Sequence, residues 1–180
     1  MKKILTILLA IAFAQNIAFA EQKIAVINVE LIVDNALVSK NIAAQLNKKK
    51  EELKSDVEKK EQDLGKLNQE LVKQESILAK DVFEQKVKDF NNKLADVQRE
   101  IQGKKNILEQ AHIDSMSKIF EEISTIVEKV AKDKNISVVL PSNSTSYFTP
   151  DLEITSEILA MLDKKIQKID VKFDTAAAKK

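Results

Sequence analysis

Between Leu46 and Ser115 the chain carries two apolar stripes, each with spacings that alternate between four and three residues, and the two are out of phase. The first runs Leu46, Lys50, Leu53, Val57, Lys60, Leu64, Leu67, Leu71, Gln74 and Leu78, with seven of ten positions apolar. Such a spacing is the seam of a coiled coil rather than the broader face of a globular helix. Continuing it would demand apolar residues where Asp81 and Gln85 stand. The stripe instead resumes at Phe83, Val87, Phe90, Leu94, Val97, Ile101, Lys104, Leu108, Ala111 and Ser115, with eight of ten apolar. A phase break between two strong stripes is where a chain doubles back. The sequence therefore predicts a helical hairpin over residues 39–133 with its turn at Ala79-Lys80-Asp81-Val82, and with Asp81 and Glu84 capping the returning helix.

Folding the arms about that turn sets Leu78 against Phe83, Leu71 against Phe90 and Leu64 against Val97. Each polar seam residue then faces an apolar one: Lys60 meets Ile101, Lys104 meets Val57 and Gln74 meets Val87. The seam lysines are expected to carry their ammonium groups outward along their own stems. Past Leu108 the apolar pattern steps to His112, Met116, Ile119, Phe120, Ile123, Val127 and Val130. That step reads as a stutter, marking where the helix leaves the arm for the body of the protein.

Composition agrees with long helices. Charged residues make up 32% of the 180 residues and aromatics 4%, while Gly and Pro number two each. So few helix breakers argue against a Gly/Pro-rich sandwich or barrel. The absence of Cys excludes disulfides, thiolate metal sites, Cys nucleophiles and a lipobox-type lipid anchor. The single His112 cannot build a multi-histidine metal site, and it reads as an ordinary helix residue. Glu121, Glu122 and Asp133 stand without metal spacing, and there is no Gly-rich phosphate loop. No metal, cofactor or enzymatic role is expected.

Residues 1–20 read as an address. Lys2 and Lys3 precede an apolar run from Ile4 to Phe13, and Ala18-Phe19-Ala20 closes the segment, which is the order of a secretory signal peptide cleaved before Glu21. The run is about 10 residues, against the roughly 20 that a membrane span needs. The whole chain holds 29 basic and 28 acidic groups; without the segment's two lysines the net charge is −1. A bacterial periplasm is the expected compartment, and no overall field would draw the protein onto nucleic acid.

The two ends flanking the hairpin, residues 21–38 and 134–180, are expected to form one discontinuous body. Ile24 to Val29 is a β-branched run, apolar on both faces, so it predicts a strand covered on both sides. Ile136 to Leu140 is a second strand, stopped by Pro141, and Tyr147-Phe148 begins a third. From Thr155 a helix is predicted, with Ile158, Leu159, Leu162, Ile166 and Ile169 at helical spacing and Glu157 in its first turn. About seventy residues with open strand edges make a thin body. Self-association through Ile24, Val26, Ile27, Val29, Val138 and Leu140 is the expected remedy. The fold class is α+β, mostly α.

Lys23-Ile24-Ala25-Val26-Ile27-Asn28-Val29, then a charged hairpin, then Ile136-Ser137-Val138-Val139-Leu140 and Pro150-Asp151-Leu152-Glu153-Ile154-Thr155 before a helix, resembles the Skp/OmpH family of periplasmic chaperones. The resemblance spans about Lys23 to Ile169 and lies in the order of elements more than in any one motif. It implies a homotrimer whose strands form a central barrel, with helical arms around a cavity. It also implies that unfolded outer-membrane β-barrel proteins are held there without ATP, then passed to the outer-membrane assembly machinery. Better-known members are strongly basic. Here residues 40–110 hold sixteen basic and fourteen acidic groups, and Arg99 is the only Arg. The lipopolysaccharide site proposed for some members is therefore not carried over. A structural coiled coil spacing the envelope is the alternative reading, and a nucleic-acid-binding protein is opposed by the near-neutral charge.

Within that reading, the apolar residues off the seam near the tip are the candidates for touching clients: Val72, Ile77 and Val82, with the edge of Phe83. The competing role for each is to widen the hairpin's own core. For Phe83, which lies on the seam, packing is the stronger reading.

Overall fold

The computed structural model describes residues 23–174. The leader read over residues 1–20 and the end at 176–180 lie outside the described residues. In order come β1 (Lys23–Ile27), α1 (Val29–Asn35), α2 (Leu37–Gln74), α3 (Lys80–Lys134), β2 (Ile136–Pro141), two 3-10 turns (Ser142–Ser144 and Pro150–Leu152) and α4 (Thr155–Lys165). The chain is α+β and mostly α. Helices α2 and α3 form the hairpin, and the segments from both ends make the body around a two-stranded parallel sheet.

The arms follow their stripes closely. Every stripe position from Leu53 to Lys104 is half-buried, and every other residue of that stretch except Asp56 is exposed. Lys60 reaches Glu100 and Lys104 reaches Asp56 across the gap, which places the arms in the register that sets Lys60 opposite Ile101. With 38 residues in α2, the arm is about 57 Å long at 1.5 Å per residue.

The turn departs from the expectation by about one helical turn. The reversal occupies residues 75–79, and Lys80, Asp81 and Val82 already belong to α3. Helix α2 loosens as Glu75 N–H reaches Val72 O at 3.4 Å, and Leu78 N–H then bonds Gln74 O at 3.0 Å. Leu78 thus joins the seam from the turn rather than from the helix. The phase break shows only that the reversal occurs near Leu78 and Phe83, and no Gly or Pro marks the residue at which the helix stops. Ala79, in extended conformation, precedes α3 without a side-chain cap; Asp81 lies in the first turn but makes no capping bond.

The stutter is real, and the buried face keeps Ile119, Ile123 and Val130 of the expected stripe. The buried residues along the root of α3 are Ala111, Ser115, Ile119, Ile123, Ile126 and Val130. Three successive spacings of four, from Ala111 to Ile123, rotate the buried face away from the strict seam. His112 and Phe120, expected on that stripe, are exposed.

The body differs in several details. Strand β1 ends at Ile27, because Asn28 caps α1 by accepting a hydrogen bond from Leu31 N–H at 2.9 Å on its Oδ1. Val29 is therefore the first residue of a helix, not a strand residue. Val26 and Ile27 are 1% and 5% exposed within the single chain, so they are not free to meet a partner. No strand forms at Tyr147-Phe148. The second neighbour of β1 is Glu153, bridged to Val26, with Ile154 N–H donating to Val26 O at 3.0 Å. Helix α4 stops at Lys165, and Ile166 is already extended.

One core joins these parts. Ile32, Val38, Ile42, Ile119, Ile158 and Leu162 are fully buried and come from α1, α2, α3 and α4. Asp163 of α4 accepts Leu37 N–H at 2.8 Å and so caps α2 from outside its own sequence. At the far end of α3, Asn135 takes the left-handed conformation (φ 56°) and closes the helix before β2.

Candidate functional site

The tip of the hairpin leaves apolar side chains in water. Val72 is 61% exposed, Ile77 is 78% exposed and Val82 is 43% exposed, while Phe83 is half-buried in the seam. The first three lie on the last turn of α2, in the reversal and on the first turn of α3. They therefore ring one end of the molecule. Their positions off the stripes are the reason: a residue outside the seam of a two-helix arm has nothing to pack against.

Midway down the arms the polar seam positions are tied together. Glu100 accepts from Lys60 at 2.9 Å and lies 2.8 Å from Lys104, which also donates to Asp56 at 2.6 Å. Hydrogen bonds from Lys104 and Lys60 hold the Glu100 carboxyl below its ordinary value. Hydrogen bonds to Asp56 and Glu100 raise the Lys104 ammonium above its own. Both groups are thus driven further into their charged forms, away from the range useful to a general acid or base. They bridge the two arms at this level.

The sheet presents a second apolar surface. In the parallel ladder Ile24 stands beside Val138, and Val26 stands beside Leu140. Ala25 and Ile27 point into the core. On the opposite face Ile24 and Val138 are 44% exposed and Leu140 is 38% exposed, while Val26 is closed off. Of the six residues expected to mediate self-association, these three remain available. The far edge of β2 has no strand beside it among the described residues.

Two surfaces were not foreseen. Ile113 and Phe120, seven residues apart on one side of α3, are exposed at 47% and 48%. At the root of the arms a cavity of about 370 Å³ lies between Leu53, Ile107, Leu108 and Phe173, with Lys49 and Lys104 among its charged walls. The spacing from Ile113 to Phe120 was a signal that a search for buried stripes passes over. Among the described residues no three His, Cys, Asp or Glu side chains gather as around a metal ion, and no helix is long and apolar enough to cross a membrane.

Residues 23–162 match the family model described as outer membrane protein (OmpH-like). The fold is similar to that of a candidate outer membrane chaperone, OmpH-like, from Caulobacter crescentus CB15. That crystal structure superposes with a TM-score of 0.76 at 21% identity, over 84% of this chain and 89% of the other. At that identity the likeness is one of fold. No curated protein sequence matches.

Proposed function

Because the chain belongs to the OmpH-like family, we propose that it is a periplasmic holdase that keeps unfolded outer-membrane β-barrel proteins soluble without ATP. The observation that carries the reading is the ring of Val72, Ile77 and Val82 at the free end of a long arm. An unfolded outer-membrane strand alternates apolar and polar residues and has no partner until it reaches a membrane. In water it aggregates through its edges. Many weak apolar contacts on several arms hold such a chain through avidity, and each contact alone releases readily.

Several arms require several subunits. The exposed Ile24, Val138 and Leu140 and the open edge of β2 supply a surface for self-association, and a homotrimer surrounding a cavity is the assembly proposed. Export by a cleaved leader over residues 1–20 would bring the chain to its clients, which would then pass to the outer-membrane assembly machinery. The function is binding rather than catalysis.

The test is light scattering from a urea-denatured porin diluted into buffer with the purified protein and no nucleotide. Suppressed scattering is expected, and it should weaken when Val72, Ile77 and Val82 are all changed to Ser. Full protection by a folded variant of unchanged assembly would remove the tip from the mechanism. Scattering unaffected by the wild-type protein would leave a spacer role instead. Mass photometry of the same samples reads the subunit number.

A further inference from the structure

Past α4 the chain runs from Ile166 to Asp174 without helix or strand, yet it is not loose. Ile169-Asp170-Val171-Lys172-Phe173-Asp174 alternates apolar and polar residues, and the alternation is reflected in burial. Val171 is 9% exposed and joins the core, Ile169 and Phe173 are half-buried against it, and Asp170, Lys172 and Asp174 face water. This is the two-residue period of a β-strand, in a segment with no strand beside it among the described residues.

A side chain takes the place of the missing strand. Gln45 Nε2 donates to Ile169 O at 2.7 Å, and Gln45 Oε1 accepts from Val171 N–H at 3.0 Å. One donor and one acceptor offered to alternate main-chain groups is what a neighbouring strand provides in a ladder. The amide is itself held, since Nε2 also donates to Asn41 Oδ1 at 2.8 Å. One turn further along α2, the Lys49 ammonium lies 5.8 Å from the centre of the Phe173 ring. Phe173 in turn borders the 370 Å³ cavity with Leu53, Ile107 and Leu108. The segment begins after residue 162, where the family match ends.

We propose that this root groove is a binding site for an extended strand of alternating apolar and polar residues. In the free protein residues 169–173 occupy it, and an unfolded client strand of the same pattern displaces them. Recognition by main-chain hydrogen bonds, with recesses for every second side chain, tolerates many sequences and selects a pattern. A tethered occupant competes at high effective concentration, so it yields only to chains gathered close to the arms. The identity of the competitor rests on the holdase reading; the groove itself does not.

The full chain, free of Cys, takes nitroxides at Lys48→Cys and Asp170→Cys, both exposed positions beside the clamp. Double electron–electron resonance should give a short, narrow distance between them. A synthetic copy of residues 166–174 should abolish that population, as should denatured porin, while an isomer with its apolar residues grouped together should leave it. Gln45→Ala removes both clamp bonds from tethered segment and copy alike. It should therefore raise the open fraction of the free protein by about tenfold while leaving the copy concentration needed for displacement about the same. Persistence of the short distance with the copy in both wild type and Gln45→Ala overturns the proposal. Equal displacement by the grouped isomer overturns it too, as does porin kept soluble with the distance unchanged. Displacement by the copy, with porin still aggregating, upholds the groove and fails the holdase reading instead.

Discussion

Lys60 of α2 and Glu100 of α3 meet across the arms, Nζ to Oε2 at 2.9 Å, beside a seam that is mostly apolar. Glu100 also holds Lys104, and Lys104 holds Asp56, so two lysines at core positions are each answered from the opposite arm. All four side chains remain partly in water, where ion pairs contribute little to stability. An apolar side chain at a half-buried seam position contributes roughly 1 kcal/mol. Changing Lys60 and Lys104 together to Leu should therefore slow hydrogen exchange of the neighbouring arm amides by about tenfold or more. Faster exchange in the variant would show that the ionic network outweighs the apolar gain.

The same network fixes a pH window. Glu100 titrates below its ordinary 4.5 in the folded arm, so its contribution is complete above pH 4.5 and is lost as pH falls through the folded value. Lys104 titrates above its ordinary 10.5, so its contribution is complete below pH 10.5 and is lost as pH rises through the folded value. Cohesion of the arms should be flat between those limits. A spin-label distance from Lys66→Cys to Lys93→Cys should accordingly hold from pH 5.5 to about 9.5 and broaden only in acid or strong base. Glu100→Gln should shrink the acid limb; an acid response of unchanged size would assign it to other carboxylates.

Thr155 binds the two ends of the body together. Its buried hydroxyl accepts Asn28 N–H at 2.9 Å and donates to Glu153 Oε1 at 2.8 Å, joining the start of α1 to the start of α4. Thr155→Val keeps the shape and strands the Asn28 N–H, at a cost of about 1–3 kcal/mol. Asn28→Ala removes the α1 cap and should cost about 1 kcal/mol. Urea unfolding of both variants against wild type checks the ranking, and equal costs would mean that water replaces the Thr155 hydroxyl.

The arms were legible because burial in a two-helix hairpin is decided locally. A residue on the stripe meets the other arm and a residue off it does not; spacing put Val72, Ile77 and Val82 off the seam, and their exposure decides against a wider hairpin core. The body was less legible because its burial depends on contacts distant in sequence. Val26 looks like an interface residue until Glu153 comes to lie beside it, and Ala79 begins a helix with no capping side chain to announce it. Ile166 and Ile169 continue the spacing of Ile158 and Leu162, so the helical period masked the strand-like alternation from Ile169 to Phe173. Two periods overlapped there, and only Gln45, more than a hundred residues away, decides between them.

A thin body and a long arm should respond differently to the same truncation. Ile158 is fully enclosed between α4 and the rest of the core, at 0% exposure, whereas Leu71 lies half-buried between two arms that can close over a gap. Ile158→Ala deletes buried carbons and leaves a cavity in the shared core, at a cost of about 2–5 kcal/mol. For so small a core that is a large share of the total stability. Leu71→Ala removes fewer contacts, from a site already open to water, and should cost about 1–1.5 kcal/mol. Hydrogen exchange separates the two. Ile158→Ala should raise exchange throughout the body and the arm roots, while Leu71→Ala should raise it only from about residue 64 to residue 97. If Leu71→Ala destabilised the body as much as Ile158→Ala, arm and body would be one cooperative unit rather than a core bearing a separable arm.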